Sequence, residues 1–392
     1  MAQPLQGVRV IEVGGGVAVA AAAKTFSDYG ADVIKVEAPA GGLLRRLAPF
    51  AEDRPHIDRG SYHLALDTGK RSIVADLGTP SGREVLGRLA RGAQLAIVEL
   101  PAAETPSIQR VLGAAGASVV TITPHGLDGP YATRQENDTS EFAWTSRMHL
   151  HAIAGRPPLR YAPYVPAMQV GGTAAAAGVA AVWSLEHEGA RRDIDISAVE
   201  ALSGNVDVYF TVWSFSQGEM PRQGGQSKLA YPAGNYRCKD GHVMFAAAGD
   251  RFFQRLCEGI GHPELITDPR FADPAQKPLH WADFMTYLEP WLMARTKQQV
   301  FIELQAFGVM VAPTLEIPDF EEDPQAIARG SLVEVEQPGV GSMKLVGPPF
   351  RLDGAWVARP APALGEHTID LLDEAGYTRD EQAALFRAGA IG

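Results

Sequence analysis

The chain has 392 residues, enough for two domains that each bury a core. With 46% hydrophobic and 21% charged residues, the composition excludes wholesale disorder. A formal net charge of −11 excludes a general attraction to nucleic acid or an anionic membrane, so an anionic ligand must be met by local arginines and lysines.

In chain order, residues 8–13 form a β-branched run ending in Gly14-Gly15-Gly16, residues 18–29 a small-residue helix stopped by Gly30, and residues 33–37 a second strand. Strand-like runs follow at 72–77, 95–100 and 119–123, with helical spacing over 81–90. Strands alternating with helices predict an α/β fold, a parallel sheet with helices on both faces. An alanine-rich helix over 171–185 precedes a strand over 193–197; this stretch and residues 17–23 are too short to span a bilayer. Beyond residue 217 the texture changes to turn residues and short strands, including 243–248, then helices over 251–260, 281–293 and 297–307. Strands at 333–337 and 343–346 and a helix near 367–375 close the chain. The expected division is a large domain over 1–200, a smaller α+β domain over 217–324, and a return to the large domain over 325–392.

The start, MAQPLQGVRV, lacks a basic segment followed by an apolar core, and the expected location is the cytoplasm. Cys238 and Cys257 have no CxxC spacing and suggest no disulfide framework.

The first glycine turn is a partial match to a dinucleotide fingerprint. Gly14 and Gly16 fit, but Val19 stands where the third glycine admits close packing, and Glu37 falls where an acid would hold a ribose. Binding of NAD is therefore disfavoured. The segments "VEAPAGGLLRR", "LDTGKRSIVADLGTPSGREVLGRLARGAQLAIVEL", "GLDGPYATR", "DIDISAVEAL", "YPAGNYRCKDGHVMFAAAGDRFFQRLCEGIGHPELITDPRF" and "PALGEHT" occur in this order. Together they resemble the class III CoA-transferases, a family that includes formyl-CoA transferase and the carnitine CoA-transferases, over nearly the whole chain. The resemblance implies a Rossmann-like large domain, a smaller α+β domain, an interlocked dimer, and coenzyme A as the bound group, with no metal. By resemblance, Val17 and Ala18 lie beside the nucleotide, Arg46 near its phosphates, Ala75 near the adenine, Glu99 and Leu100 along the ligand, and Arg134 near the diphosphate. Lys70 and Arg71 of "GKRS" would add positive charge for the phosphates. In "VELPAAE" the chain departs from the Asn-Phe-Arg-Pro-Gly pattern of many members, which sets Glu99 near a phosphate-rich ligand.

In the family's transferases an aspartate attacks the acyl-CoA thioester, giving an acyl-aspartyl anhydride and CoA thiolate; the thiolate returns to form an aspartyl-CoA thioester with release of the donor acid, and the acceptor carboxylate takes over the CoA. Ungapped counting from Gly189 puts that position on Ala167 in "YVPAMQVGGTAAAAG"; Met168 and Gln169 are the nearest alternatives. No Asp or Glu occurs between Ser146 and Glu186, so a shifted match supplies no carboxylate. Where the related racemases carry a histidine stands Asn137, followed by Asp138, which corresponds to an acidic residue near the active centre of some members and otherwise reads as a cap or turn former. His149 and His151 alternate as on an extended segment but lack a third metal ligand, Glu186-His187-Glu188 lacks a second histidine, and Ser203-Gly204 lacks a flanking glycine. Gly224-Gly225 matches a loop that covers the active site in some relatives, or is an ordinary turn. The segment RYAPYVP, residues 160–166, reads with Tyr209, Phe210, Trp213 and Phe215 as an apolar pocket lining, the alternative being that these aromatics fill a core.

The expected function is that of a non-catalytic subunit of a hetero-oligomeric CoA-transferase, of the kind found in succinyl-CoA:benzylsuccinate CoA-transferase. Its expected partners are acyl-CoA and carboxylic acid substrates and a homologous catalytic subunit, or a second copy of itself. The alternative is a homodimeric isomerase or hydratase acting on CoA thioesters through acid-base chemistry at Asp138 or another group.

Overall fold

The computed structural model describes residues 3–151, 153, 155–204, 207–218, 225–227, 231–246, 249–352, 356 and 358–392. The chain divides into two compact units: Met1–Arg147, Arg160–Thr211 and Ile327–Gly392 form one, Met148–Leu159 and Val212–Ala326 the other.

The first half of the large unit runs β1 (Arg9–Gly14), α1 (Val17–Asp28), β2 (Asp32–Glu37), α2 (Ser61–Leu66), β3 (Arg71–Val74), α3 (Pro80–Leu89), β4 (Leu95–Glu99), α4 (Thr105–Ala114) and β5 (Ser118–Thr123). There follow α5 (Asp138–Trp144), α6 (Arg147–Leu150), α7 (Val165–Glu188), β6 (Asp193–Ser197), α8 (Ala198–Ser203) and α9 (Asp207–Ser216). The six strands form one parallel sheet in the order β3-β2-β1-β4-β5-β6. Chain direction across the sheet reverses between β1 and β4, the switch point at which open α/β sheets take their ligands. The expected α/β, Rossmann-like fold is what forms.

Alternation along each strand explains the two layers of core. Val10, Val33, Leu95, Ile97 and Val120 pack under α1 and α7, while Ile11, Val13, Ile34, Val36, Ala96, Val98 and Val119 pack under α3, α4 and a C-terminal helix. Small residues let α7 settle directly on α1. A Cβ on Gly171 would stand 2.7 Å from the Ala18 carbonyl oxygen, and one on Gly178 2.9 Å from Phe26 and Leu95. At 24 residues α7 is long and apolar enough to cross a membrane, contrary to the expected length, and half of that stretch is buried inside the protein. It starts six residues before the expected 171 because Pro166 occupies its first turn, where a missing N–H costs nothing.

The smaller unit contains β7 (Ala233–Cys238), β8 (Gly241–Ala246), α10 (Asp250–Gly259), α11 (Pro269–Ala272), α12 (Trp281–Met293), α13 (Lys297–Ala306), β9 (Val311–Pro313) and α14 (Ile317–Glu321). Its antiparallel sheet, β7-β8-β9, packs Tyr236, Val243 and Phe245 against Phe253, Leu256, Phe284 and Leu288 of α10 and α12. Cys238 and Cys257 are free and buried. Residues 247 and 248 of the expected strand, and Gly224, lie outside the described residues.

After α15 (Pro324–Arg329) come the hairpin β10 (Leu332–Gln337) and β11 (Gly341–Val346), then α16 (Thr368–Glu374) and α17 (Arg379–Arg387). Leu371 and Leu372 of α16 complete the second core layer of the large unit. Tyr209, Phe210, Trp213 and Phe215 on α9 are exposed in the single chain rather than packed in a core.

Candidate functional site

At the end of β1 the chain turns into α1 through three glycines, of which Gly14 and Gly16 are made necessary by one neighbour, Glu99 at the end of β4. Gly14 has φ +121°, and a Cβ there would meet the Glu99 carbonyl oxygen at 2.3 Å. A Cβ on Gly16, the residue before α1, would lie 2.1 Å from Glu99 Oε1. The backbone N–H of Val19 donates to Glu99 Oε2 at 2.8 Å. The carboxylate thus occupies the positive end of α1, among N–H groups with no partner inside the helix. Burial pushes the Glu99 carboxyl up to about 7, against the opposing pull of the Val19 hydrogen bond.

The start of α7 is satisfied in a parallel way. Tyr164, just before it, adopts φ +64°, and its N–H donates to Asp138 Oδ2 at 2.7 Å. Asp138 belongs to α5, whose cap is Asn137: its Oδ1 accepts from Thr139 N and Ser140 N at 3.1 and 3.0 Å. Asn137 is therefore committed to its own helix, and Asp138 to the neighbouring one rather than to a local turn. One turn along α5, burial and the nearby charges of Glu99, Asp138 and Glu136 push the Glu141 carboxyl up to about 7. No lysine or arginine pairs with Glu141 among the described residues.

These groups border one cavity of about 870 Å³ at the carboxyl ends of β1, β4, β5 and β6. Of the residues singled out in the sequence, Val17, Ala18, Glu99, Leu100, Arg134, Asn137, Asp138 and Ala167 line it together. Ala167 is buried in the first turn of α7. Met168 and Gln169 do not line it; Gln169 Oε1 accepts from Arg147 Nη1 at 2.6 Å.

Four of the residues expected at the ligand do not line this cavity. Lys70 is buried, with Nζ 2.7 Å from Glu12 Oε2, 2.9 Å from Asp67 Oδ1 and 3.0 Å from the Ala20 carbonyl oxygen, so its charge is consumed inside the fold. Arg71 sits at the amino end of β3, the opposite edge from the cavity, and pairs with Asp32 and Glu374 at 2.7 and 2.6 Å. Ala75 is buried past the end of β3 in a bridge to Ile391. Arg46 is exposed and donates to the Ala40 and Gly41 carbonyls.

The other sequence candidates have structural employment. Glu37 is buried, and Arg45 Nε and Nη2 grip its two oxygens at 2.8 and 2.7 Å while Ser72 Oγ donates at 2.7 Å. An acid so engaged does not present itself to a ribose, and Val19 is fully buried in the core. His149 lies in the short helix α6, not on an extended segment. Trp183 O lies 3.0 Å from His187 Nδ1, and Glu188 accepts from Ser184 Oγ. No group of three or more metal-ligating side chains occurs among the described residues.

A glycine turn beneath α1, a small-residue helix packed on it and a cavity at the switch point coincide with the match of the family model for CoA-transferase family III, which covers residues 5–368. The chain belongs to CoA-transferase family III. It is 29% identical to succinyl-CoA:(R)-benzylsuccinate CoA-transferase subunit BbsE of Thauera aromatica, over 100% of this chain and 99% of that one. It is 27% identical to succinyl-CoA:mesaconate CoA-transferase of Haloarcula hispanica, over 90% and 91%, and 26% identical to formyl-CoA:oxalate CoA-transferase of Escherichia coli, over the full length of both. Among solved structures, a CAIB/BAIF family protein from Brucella suis superposes with a TM-score of 0.84 at 27% identity, covering 96% of this chain and 100% of the other.

Within this family III chain the cavity also contains residues that sequence reasoning passed over: Leu43, Glu136 and Glu141. Glu141 follows Asn137 and Asp138 by one helical turn, a spacing that would have placed it on their side of α5 had the cap been recognised. Arg160, Pro163 and Tyr164 belong to RYAPYVP, the segment read from the sequence as a pocket lining, and all three line this cavity.

Proposed function

We propose that this family III chain holds a CoA thioester in the 870 Å³ cavity and is the non-catalytic subunit of a hetero-oligomeric CoA-transferase. The observation that carries the reading is Ala167: a methyl group borders the cavity at the position where the family's attacking aspartate is expected. A methyl group cannot accept an acyl group, so the covalent carboxylate comes from a homologous partner. Val17, Ala18 and Leu100 give an apolar wall for the ligand's arm, and Arg134 and Arg160 provide cations for its phosphates. Arg46 is exposed three residues beyond the cavity residue Leu43 and remains a phosphate candidate. Lys70 and Arg71 drop from the set because their charges are spent on Glu12, Asp67, Asp32 and Glu374.

Assembly with a second chain, interlocked as in the family, is supported by large apolar side chains exposed in the single one: Trp183 on α7 and Tyr209, Phe210, Trp213 and Phe215 on α9. The cytoplasm, where CoA thioesters are made and used, is the compartment this reading requires.

A second reading has its own support. Glu99 and Glu141, with carboxyls near 7, are poised to exchange protons near neutral pH, as a homodimeric isomerase or hydratase would need. Isolation from the native host separates the two. The subunit reading expects a stoichiometric related chain bearing the aspartate, and hydroxylamine trapping during turnover should mark that partner. A homogeneous preparation of this chain that turns over a thioester overturns the subunit reading, and a hydroxamate formed on its own side chain overturns both.

A further inference from the structure

The cavity lining carries both signs of charge at different degrees of burial. Arg134 and Arg160 are exposed, whereas Glu99 of β4 and Asp138 and Glu141 of α5 are half-buried, in a lining that also includes buried Ala167, Val170 and Ala198. No arginine, lysine or histidine forms an ion pair with Glu99, Asp138 or Glu141 among the described residues. Two of the three have a fixed place, because Val19 N holds Glu99 and Tyr164 N receives Asp138 as acceptor. Glu141 has no such tether among the described residues.

A nucleotide anchored at the exposed arginines leads its thioester arm toward the carboxyl groups. An acyl group ending in a second carboxylate would then bring one more negative charge into a poorly solvated space already holding several. It enters only if a proton is taken up or water is drawn in. The arginines cannot offset this while they neutralise phosphates. An uncharged acyl chain meets apolar walls and leaves the carboxyls as they are.

Resting on the reading that this cavity holds a CoA thioester, we infer that Glu141, with Glu99 in the same cavity, is a specificity-determining residue that turns away acyl groups ending in a carboxylate and admits uncharged ones. The substrate class is then an uncharged acyl-CoA, unlike the succinyl-CoA that appears in the names of two relatives. The carboxyls of Glu99 and Glu141, pushed up by burial, accord with this, because a further anion would push them higher still.

Butyryl-CoA and succinyl-CoA share a four-carbon chain and the same nucleotide and differ in the terminal carboxylate. Calorimetric titration of the full chain at pH 8 with CoA, butyryl-CoA and succinyl-CoA should show butyryl-CoA binding at least about tenfold more tightly than succinyl-CoA, the equivalent of one displaced pKa unit. Glu141→Gln should narrow that gap at least about threefold by strengthening succinyl-CoA binding, and Glu99→Gln, which keeps an acceptor for Val19 N, should act in the same direction. Succinyl-CoA binding as tightly as butyryl-CoA, or a gap unmoved by both substitutions, overturns the inference while CoA binding leaves the cavity reading intact. Failure to bind CoA and both thioesters removes the cavity reading, and the inference falls with it.

Discussion

Two groups of carboxylates stand on the large unit's sheet and its flanking helices, and they have been treated in opposite ways. Beneath α1, Glu12, Asp67 and Glu37 are fully buried and each meets a cation: Lys70 and Lys35 lie 2.7 and 3.3 Å from Glu12, Lys35 lies 2.6 Å from Asp67, and Arg45 grips Glu37. Burial would raise Asp67, but Lys35, Lys70 and His63 hold it well below the usual carboxylate range. At the cavity, Glu99 and Glu141 form no ion pair among the described residues, and burial lifts both to about 7. Residue type is the same in both places; partners decide the charge. Asp67 and Glu37 in the interior are held ionised by their cations, whereas the cavity pair is left able to respond to whatever enters.

The largest break in this contrast comes from stripping the network of one cation. Lys70→Met leaves Glu12 and Asp67 short of a counter-charge inside the core and also removes the donor to Ala20 O. A loss of about 3–5 kcal/mol in urea unfolding is expected. Adding Glu12→Gln should recover part of it, because an uncharged amide no longer needs the ammonium. A Lys70→Met chain as stable as the parent would mean that the network contributes nothing to stability.

This network also explains what could and could not be read from the sequence. Strands and helices over 8–37, 81–90 and 193–197 were legible because apolar periodicity is local, and the sheet that forms follows from it. The fate of Lys70 and Arg71 was not, since each is held by a carboxylate from distant chain: Glu12 for Lys70, and Glu374 of α16 for Arg71. A basic pair in "GKRS" looks like a phosphate site until the fold supplies carboxylates from 58 and 303 residues away, both read from the chain numbering. Ala167 was legible in the sequence, because counting along one uninterrupted helix reaches it. Glu141 was not, since the cavity that gives it meaning is closed by segments from β1 to α8.

A smaller effect tests whether Glu99 dictates the glycine turn. Gly16→Ala places a methyl group into the Glu99 carboxylate, although its φ of −80° suits any residue. The expected cost is about 1–3 kcal/mol, as for an overpacked site. In a Glu99→Ala background the obstruction is gone, and the same substitution should cost about 1 kcal/mol less or better. Equal costs in both backgrounds would mean that the turn is held by something other than this carboxylate.

The smallest effect has the opposite sign, and it sharpens the comparison most. A carboxyl whose folded pKa exceeds its unfolded value binds its proton more tightly in the native state, so stability declines as pH rises from about 4.5 to about 7 and is level beyond. Glu141→Gln removes that decline. The variant should match the parent at pH 4.5 and exceed it by about 1–2 kcal/mol at pH 8, less than the full displacement because the cavity admits water. Glu99→Gln should gain less than Glu141→Gln, since its charge is partly repaid by the Val19 N–H at the end of α1. For Asp67 the sign reverses: its carboxyl is held low, so its contribution is present above pH 4 and lost as acid protonates it, and Asp67→Asn must destabilise at pH 8 where Glu141→Gln stabilises. Urea unfolding of the three variants across pH 4.5 to 8 reads both signs in one experiment, and a Glu141→Gln chain weaker than the parent at pH 8 would mean that an unseen cation holds Glu141 ionised.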